Sequence, residues 1–107
     1  MFHIRKSICG AYLFVLKGGN DKVMLWGCGE HSSVIACQSC IAAVRANAGD
    51  PDQYMSTHIQ GYHWFSLKGA MGGRLGLSVT YAEASDRDQA LWDMMKVAPD
   101  ADTEDRS

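Results

Sequence analysis

Proline is scarce in this chain of 107 residues, occurring only at Pro51 and Pro99. That excludes proline-rich linkers and polyproline segments. No apolar stretch reaches the length of about eighteen residues that a membrane-spanning helix needs, so no membrane partner is expected. A surplus of positive charge is also missing. Ten Lys and Arg stand against twelve Asp and Glu, a formal net charge of -2, which argues against holding nucleic acid by neutralising many phosphates. The chain has no Gly-x-Gly-x-x-Gly or phosphate-loop pattern ahead of a helix. No Ser, His and Asp residues fall in a recognisable local context. Catalysis is left without a centre, and a non-enzymatic protein without cofactor is the expectation.

What is present is an ordinary globular composition, 47% hydrophobic and 21% charged. A single domain of this length buries enough surface to fold without obligatory disulfides or metal. Arg5 and Lys6 followed by Ile8 to Leu16 imitate a secretory signal. Gly10 and Tyr12 interrupt the run, and Lys17 closes it ahead of a Gly18-Gly19-Asn20-Asp21 turn rather than a cleavage site. The segment reads as folded chain, and a soluble cytoplasmic protein is expected.

Sliding the sequence against itself by 51 positions pairs Ile8 with Ile59, Gly10 with Gly61 and Phe14 with Phe65. Leu16-Lys17-Gly18 then falls on Leu67-Lys68-Gly69, and Gln38 on Gln89. Met24 meets Leu75, Ile41 meets Trp92, Val44 meets Met95 and Arg45 meets Lys96 in the same register. Apolar on apolar throughout predicts two repeats, 1–49 and 52–100, within one domain spanning 1–100. Each opens with three short strands: Phe2 to Ile8, Ala11 to Lys17 and Lys22 to Cys28, then Gln53 to Ile59, Gly61 to Lys68 and Gly73 to Val79. Gly and Asn fall at the turns between them.

A helix follows in each unit. In the first, Ser32 or Ser33 caps it, Ile35, Ile41 and Val44 mark its face, and it ends at Gly49. In the second, Ser85 caps, Leu91, Trp92 and Met95 form the face, and Pro99 stops it. The predicted fold is therefore α+β: two tandem βββα repeats forming one antiparallel sheet, with helices packed on one face. Residues 101–107, Ala-Asp-Thr-Glu-Asp-Arg-Ser, read as an acidic disordered tail.

Strand alternation and the repeat assign Phe2, Ile4, Phe14, Leu16, Met24, Trp26, Met55, Phe65, Leu67, Leu75 and Leu77 to the helix-covered side. The opposite side receives His3, Arg5, Leu13, Val15, Val23, Leu25, Tyr54, His58, Tyr62, Trp64 and Arg74. That mixture of aromatics, aliphatics and bases is unusual for a face meant only for water. The candidate partner-binding residues are Arg5, Leu13, Val15, Tyr54, His58, Tyr62, Trp64 and Arg74. A homodimer contact, a protein-docking surface, or single-stranded nucleic acid stacked on Tyr54, Tyr62 and Trp64 would each use them; the low positive charge disfavours the last. A sheet that merely shows some apolar residues to solvent is the plain alternative.

Cys37 and Cys40 form a Cys-x-x-Cys on the first predicted helix, with Cys9, Cys28 and His31 as further ligand types for a zinc or redox site. Zinc knuckles sit in turns rather than mid-helix, and reactive thiols sit in a helix's first turn, so small buried hydrophobes are the favoured reading.

The run Gly10-Ala11-Tyr12-Leu13-Phe14-Val15-Leu16-Lys17, a Gly-Asn turn, and then Ile41-Ala42-Ala43-Val44-Arg45-Ala46-Asn47-Ala48 resemble the YegP-like family of small bacterial proteins of unknown function. The second unit keeps Phe65, Leu67, Lys68 and Ala98-Pro99-Asp100. Where that family usually shows Asn-Gly ahead of the helical Ile, this chain has Ser39-Cys40 and, in the second unit, Ala90-Leu91. The resemblance implies a tandem β3α fold sharing one antiparallel sheet. It implies no activity and no cofactor.

Overall fold

Two hairpin loops of unequal length set the strand registers. Between Ser7 and Ala11 the chain turns through three residues, closed by Gly10 at φ 86. Between Ile59 and Tyr62 it turns through two, Gln60 and Gly61, both left-handed at φ 50 and 82, the geometry of a tight hairpin. A computed structural model describes residues 1–107, in which β1 (Phe2–Lys6), β2 (Tyr12–Lys17) and β3 (Val23–Gly27) precede α1 (Val34–Asn47). Then β4 (Tyr54–Ile59), β5 (Tyr62–Lys68) and β6 (Arg74–Leu77) precede α2 (Ala84–Val97), and β7 (Thr103–Asp105) closes the chain. The class is α+β, as expected. One mostly antiparallel sheet runs in the order β4-β5-β6-β3-β2-β1-β7.

The core lies on one side of that sheet. Phe2, Ile4, Phe14, Leu16, Leu25, Phe65 and Leu67 form a single buried cluster with Cys37, Ile41, Val44 and Ala48 of the α1 region and Met94 and Ala98 of the α2 region. Ser33 caps α1, its hydroxyl accepting from Ala36 N–H at 3.1 Å. The second helix starts 50 residues after the first rather than 51, so Leu91, Met94 and Ala98 take the places of Ile41, Val44 and Ala48. Three sequence expectations for the helices are corrected. Glu83 rather than Ser85 stands at the N-cap of α2. Trp92, expected on the buried face, is 55% exposed, and Ile35 of α1 is likewise exposed.

The acidic tail is a further correction. Thr103–Asp105 adds to β1 in parallel, with Phe2 N–H donating to Asp102 C=O and Arg106 N–H to Ile4 C=O, both at 2.8 Å. Arg45 of α1 fastens the segment, its Nε donating to Ala101 C=O at 2.9 Å and Nη2 to Thr103 Oγ1 at 2.6 Å. Composition predicted solvation because the segment has almost no apolar side chains. A ladder needs only backbone groups, which β1 supplies.

The open sheet face as candidate functional site

The sides of three strands differ from those expected, each for a local reason. In β3 a bulge inserts Met24 opposite the Leu16–Lys17 step, so Leu25 turns into the core and Trp26 out of it. In β6 the same irregularity at Leu67–Lys68 turns Leu77 outward. In β4 the shorter hairpin loop slips the register by one residue, which flips every side chain. Tyr54 and His58, two of the eight candidate residues, therefore lie on the helix side. Tyr54 stacks edge-on against Phe65 at 5.6 Å and donates its hydroxyl to Ala48 C=O at 2.6 Å. Burial drives its phenol far above the usual range. His58 lies parallel to His63 at 4.3 Å. Met55, expected inside, faces out.

The other six candidates share the side away from the helices, but Val15 is only 3% exposed and so, against expectation, is buried there by its neighbours. Arg5, Leu13 and Val15 line a shallow slot of about 150 Å³ together with Lys17, Val23 and Trp26. Tyr62 and Trp64 follow on β5 and Arg74 on β6, in register with this side. Pairing partners trace one row across all seven strands: Met55, Ser66, Leu77, Trp26, Val15, His3 and Glu104. Trp26, near its centre, is 48% exposed, and Tyr62 is 59% exposed. Sequence reasoning missed Trp26, Met55 and Leu77 because no pattern in β3, β4 or β6 marks a bulge or a lost loop residue.

His3 lies in the same row, only 5% exposed, and its Nδ1 has no hydrogen-bond partner. Burial pushes the imidazole below its ordinary 6.5. Arg106, Lys17 and the N-terminal ammonium act in the same direction and Glu104 against them. The unfolded chain therefore takes up this proton at higher pH than the folded chain. The stability that His3 contributes is fully present only above about pH 6.5 and is lost as the pH falls through that value toward the lower folded one. His3→Gln is expected to lessen that fall, read as the change in urea midpoint between roughly pH 7.5 and pH 5.5. An equal change in both proteins would show that other groups carry the dependence.

The cysteine reading gains no site. Cys37 is fully buried and Cys40 partly so, and burial pushes the thiols of Cys28, Cys37 and Cys40 up, away from the reactive thiolate. No group of three or more His, Cys, Asp or Glu side chains converges as a metal site would require. No helix is long and apolar enough to cross a membrane.

Comparison with known proteins fits this architecture. A family model described as a domain of unknown function (DUF1508) matches residues 9–54. The UPF0339 protein YegP of Escherichia coli K12 is 32% identical over 91 residues, 84% of this chain and 82% of its own. The solution structure of the UPF0339 protein SO3888 from Shewanella oneidensis superposes with a TM-score of 0.89 at 24% identity, covering 97% of this chain and 88% of that one. The solution structure of Escherichia coli yegP, a protein of unknown function, does so with 0.88 at 27% identity, covering 98% and 90%. On the strength of the sequence match to YegP, with the fold in agreement, the chain belongs to the YegP-like UPF0339 family.

Proposed function

We propose that this protein is a non-enzymatic interaction module of the bacterial cytoplasm, built from two copies of a β3α unit, and that its open sheet face docks another protein. One observation carries the reading. A half-exposed tryptophan, Trp26, sits near the middle of a partly apolar row that crosses the whole sheet, and both helices pack on the other side. Large aromatic side chains with polar surroundings are the usual anchors of protein interfaces. Arg5, Lys17, Lys68 and Arg74 share the face, with Glu104 at its edge. The partner that fits is an apolar segment flanked by acidic residues, drawn in by complementary charge.

The test is affinity capture from a bacterial extract, followed by titration of the purified captured protein. Trp26→Ser is expected to weaken its binding about thirtyfold, the effect of losing an interface anchor worth about 2 kcal/mol. Trp92→Ser, on the helix side, is the control and should bind as the parent does. Equal affinity of the Trp26 variant would refute the assignment.

A further inference from the structure

β4 ends the sheet, and no other strand pairs with its outer side. The opposite half is handled differently: β7 covers β1, and Phe2, His3 and Ile4 are buried, whereas Met55, Ser56, His58 and Ile59 are exposed. Proteins usually blunt an open edge with charge, proline or a bulge. β4 has none of these. Its sequence Tyr-Met-Ser-Thr-His-Ile contains no Lys, Arg, Asp, Glu or Pro, and its six pairs with β5 run without a register shift.

The ladder fixes which backbone groups point outward. Phe65 donates its N–H to Ser78 Oγ and accepts from Ser78 N–H, both at 2.9 Å, so both of its backbone groups turn toward the β6 side. Ser56 and Phe65 are thus a non-hydrogen-bonded pair, and Ser56 directs its N–H and C=O away from the sheet, as do Tyr54 and His58. β1 has the same geometry, since Ile4 pairs with Phe14 as Ser56 pairs with Phe65, and Phe2 and Ile4 are the residues that bond β7. One outward donor is closed to an added strand in either direction. Tyr54 N–H already donates to Pro51 C=O, so the donor equivalent to Phe2 N–H, where the β7 ladder begins, is taken.

Two identical edges that close on each other about a twofold axis must run antiparallel. An antiparallel strand centred on Ser56 keeps the rest: Ser56 N–H and C=O meet those of the second copy's Ser56, and His58 N–H meets the second copy's Tyr54 C=O, each twice by symmetry. We propose that β4 is the homodimer edge of this protein, joining two seven-stranded sheets about a twofold axis. The uncharged strand brings no like charges together across the axis. Arg87 of α2 donates its Nη1 to Thr57 C=O at 3.3 Å, and its charge is paired with Asp88 at 3.1 Å. The dimer contact is separate from the open face assigned above and needs a different partner, a second copy of the chain. It would also join the two open faces into one.

The test is the solution mass of the full chain by light scattering across a dilution series with reductant, together with concentration-dependent amide shifts. Wild type is expected to approach twice the single-chain mass as concentration rises, with shifts confined to residues 54–59 and α2. Ser56→Pro removes an N–H that the sheet itself does not use and that an edge strand can spare, and is expected to raise the dimer dissociation constant about tenfold or more. Trp26→Ser should dimerise as wild type does, which separates this contact from the docking face. The wild-type shifts decide the matter even where the proline variant folds poorly. A single-chain mass at every concentration, or shifts centred on Trp26, would overturn the proposal.

Discussion

Gly76→Ala and Gly27→Ala are each expected to destabilise the folded chain by about 1–3 kcal/mol, the range for forcing atoms into a filled core. The two glycines pair with each other where β3 meets β6, the seam between the halves of the sheet. A Cβ on Gly27 would stand 2.5 Å from Phe14 Cε1, and one on Gly76 would stand 2.6 Å from Leu25 Cγ. Neither neighbour has room to yield, because Phe14 and Leu25 are fully buried and packed on all sides. The requirement follows from the close approach of these side chains to the backbone. Leu25 and Gly76 hold equivalent places 51 residues apart, paired with Leu16 and Leu67, so the large residue of one half fills space that the small residue of the other leaves. Thermal unfolding should register each change as a fall of about 4–8 °C per kcal/mol. Leu25→Ala alone should cost about 2–5 kcal/mol through the cavity it opens. The double variant Leu25→Ala with Gly76→Ala should lose less than the sum, since the added methyl occupies part of that cavity. Strictly additive losses would show that the two positions do not compete for the same space.

Truncation after Asp100 is expected to lower stability by about 3 kcal/mol or more, taking each net hydrogen bond lost at about 0.5–1.5 kcal/mol. The cut removes the whole β7 ladder to β1, whose end bonds run from Phe2 N–H to Asp102 C=O and from Arg106 N–H to Ile4 C=O, and both bonds that Arg45 makes to Ala101 and Thr103. It also exposes an edge that includes the buried Phe2 and Ile4, so the truncated chain should self-associate on heating more readily than the full chain. Arg45→Ala keeps the strand but removes its fastening, and belongs between the two in chemical denaturation. Unchanged midpoints in the truncated protein would mean that the tail contributes nothing to the folded state.

Much of the architecture was legible because the patterns that encode it are local. Gly10 and Gly61 mark hairpins, Ser33 marks a cap, and the alternation in β1, β2 and β5 places Phe2, Ile4, Phe14, Leu16, Phe65 and Leu67 inside. The candidate site was read with mixed success for the same reason. Arg5, Leu13, Val15, Tyr62, Trp64 and Arg74 lie on strand segments where alternation runs unbroken from a turn, and they share the outer face. Tyr54 and His58 were misplaced by one missing loop residue, and Trp26, Met55 and Leu77 by that slip and by bulges, irregularities that leave no mark on composition. Trp92 was misplaced by carrying the strand offset of 51 into helices that stand 50 apart.

The sequence by itself determined the class of fold, the number and order of the main elements and most of the core, because hydrophobic period, turn residues and caps act over a few neighbours. Only the tertiary structure decided which side of β3, β4 and β6 faces the helices, since a single inserted or missing residue inverts a strand whose period is two. Tertiary structure also turned an acidic tail into a strand. The free energy that orders Thr103–Asp105 resides in β1 and Arg45, about a hundred and about sixty residues away along the chain, rather than in the tail's own side chains.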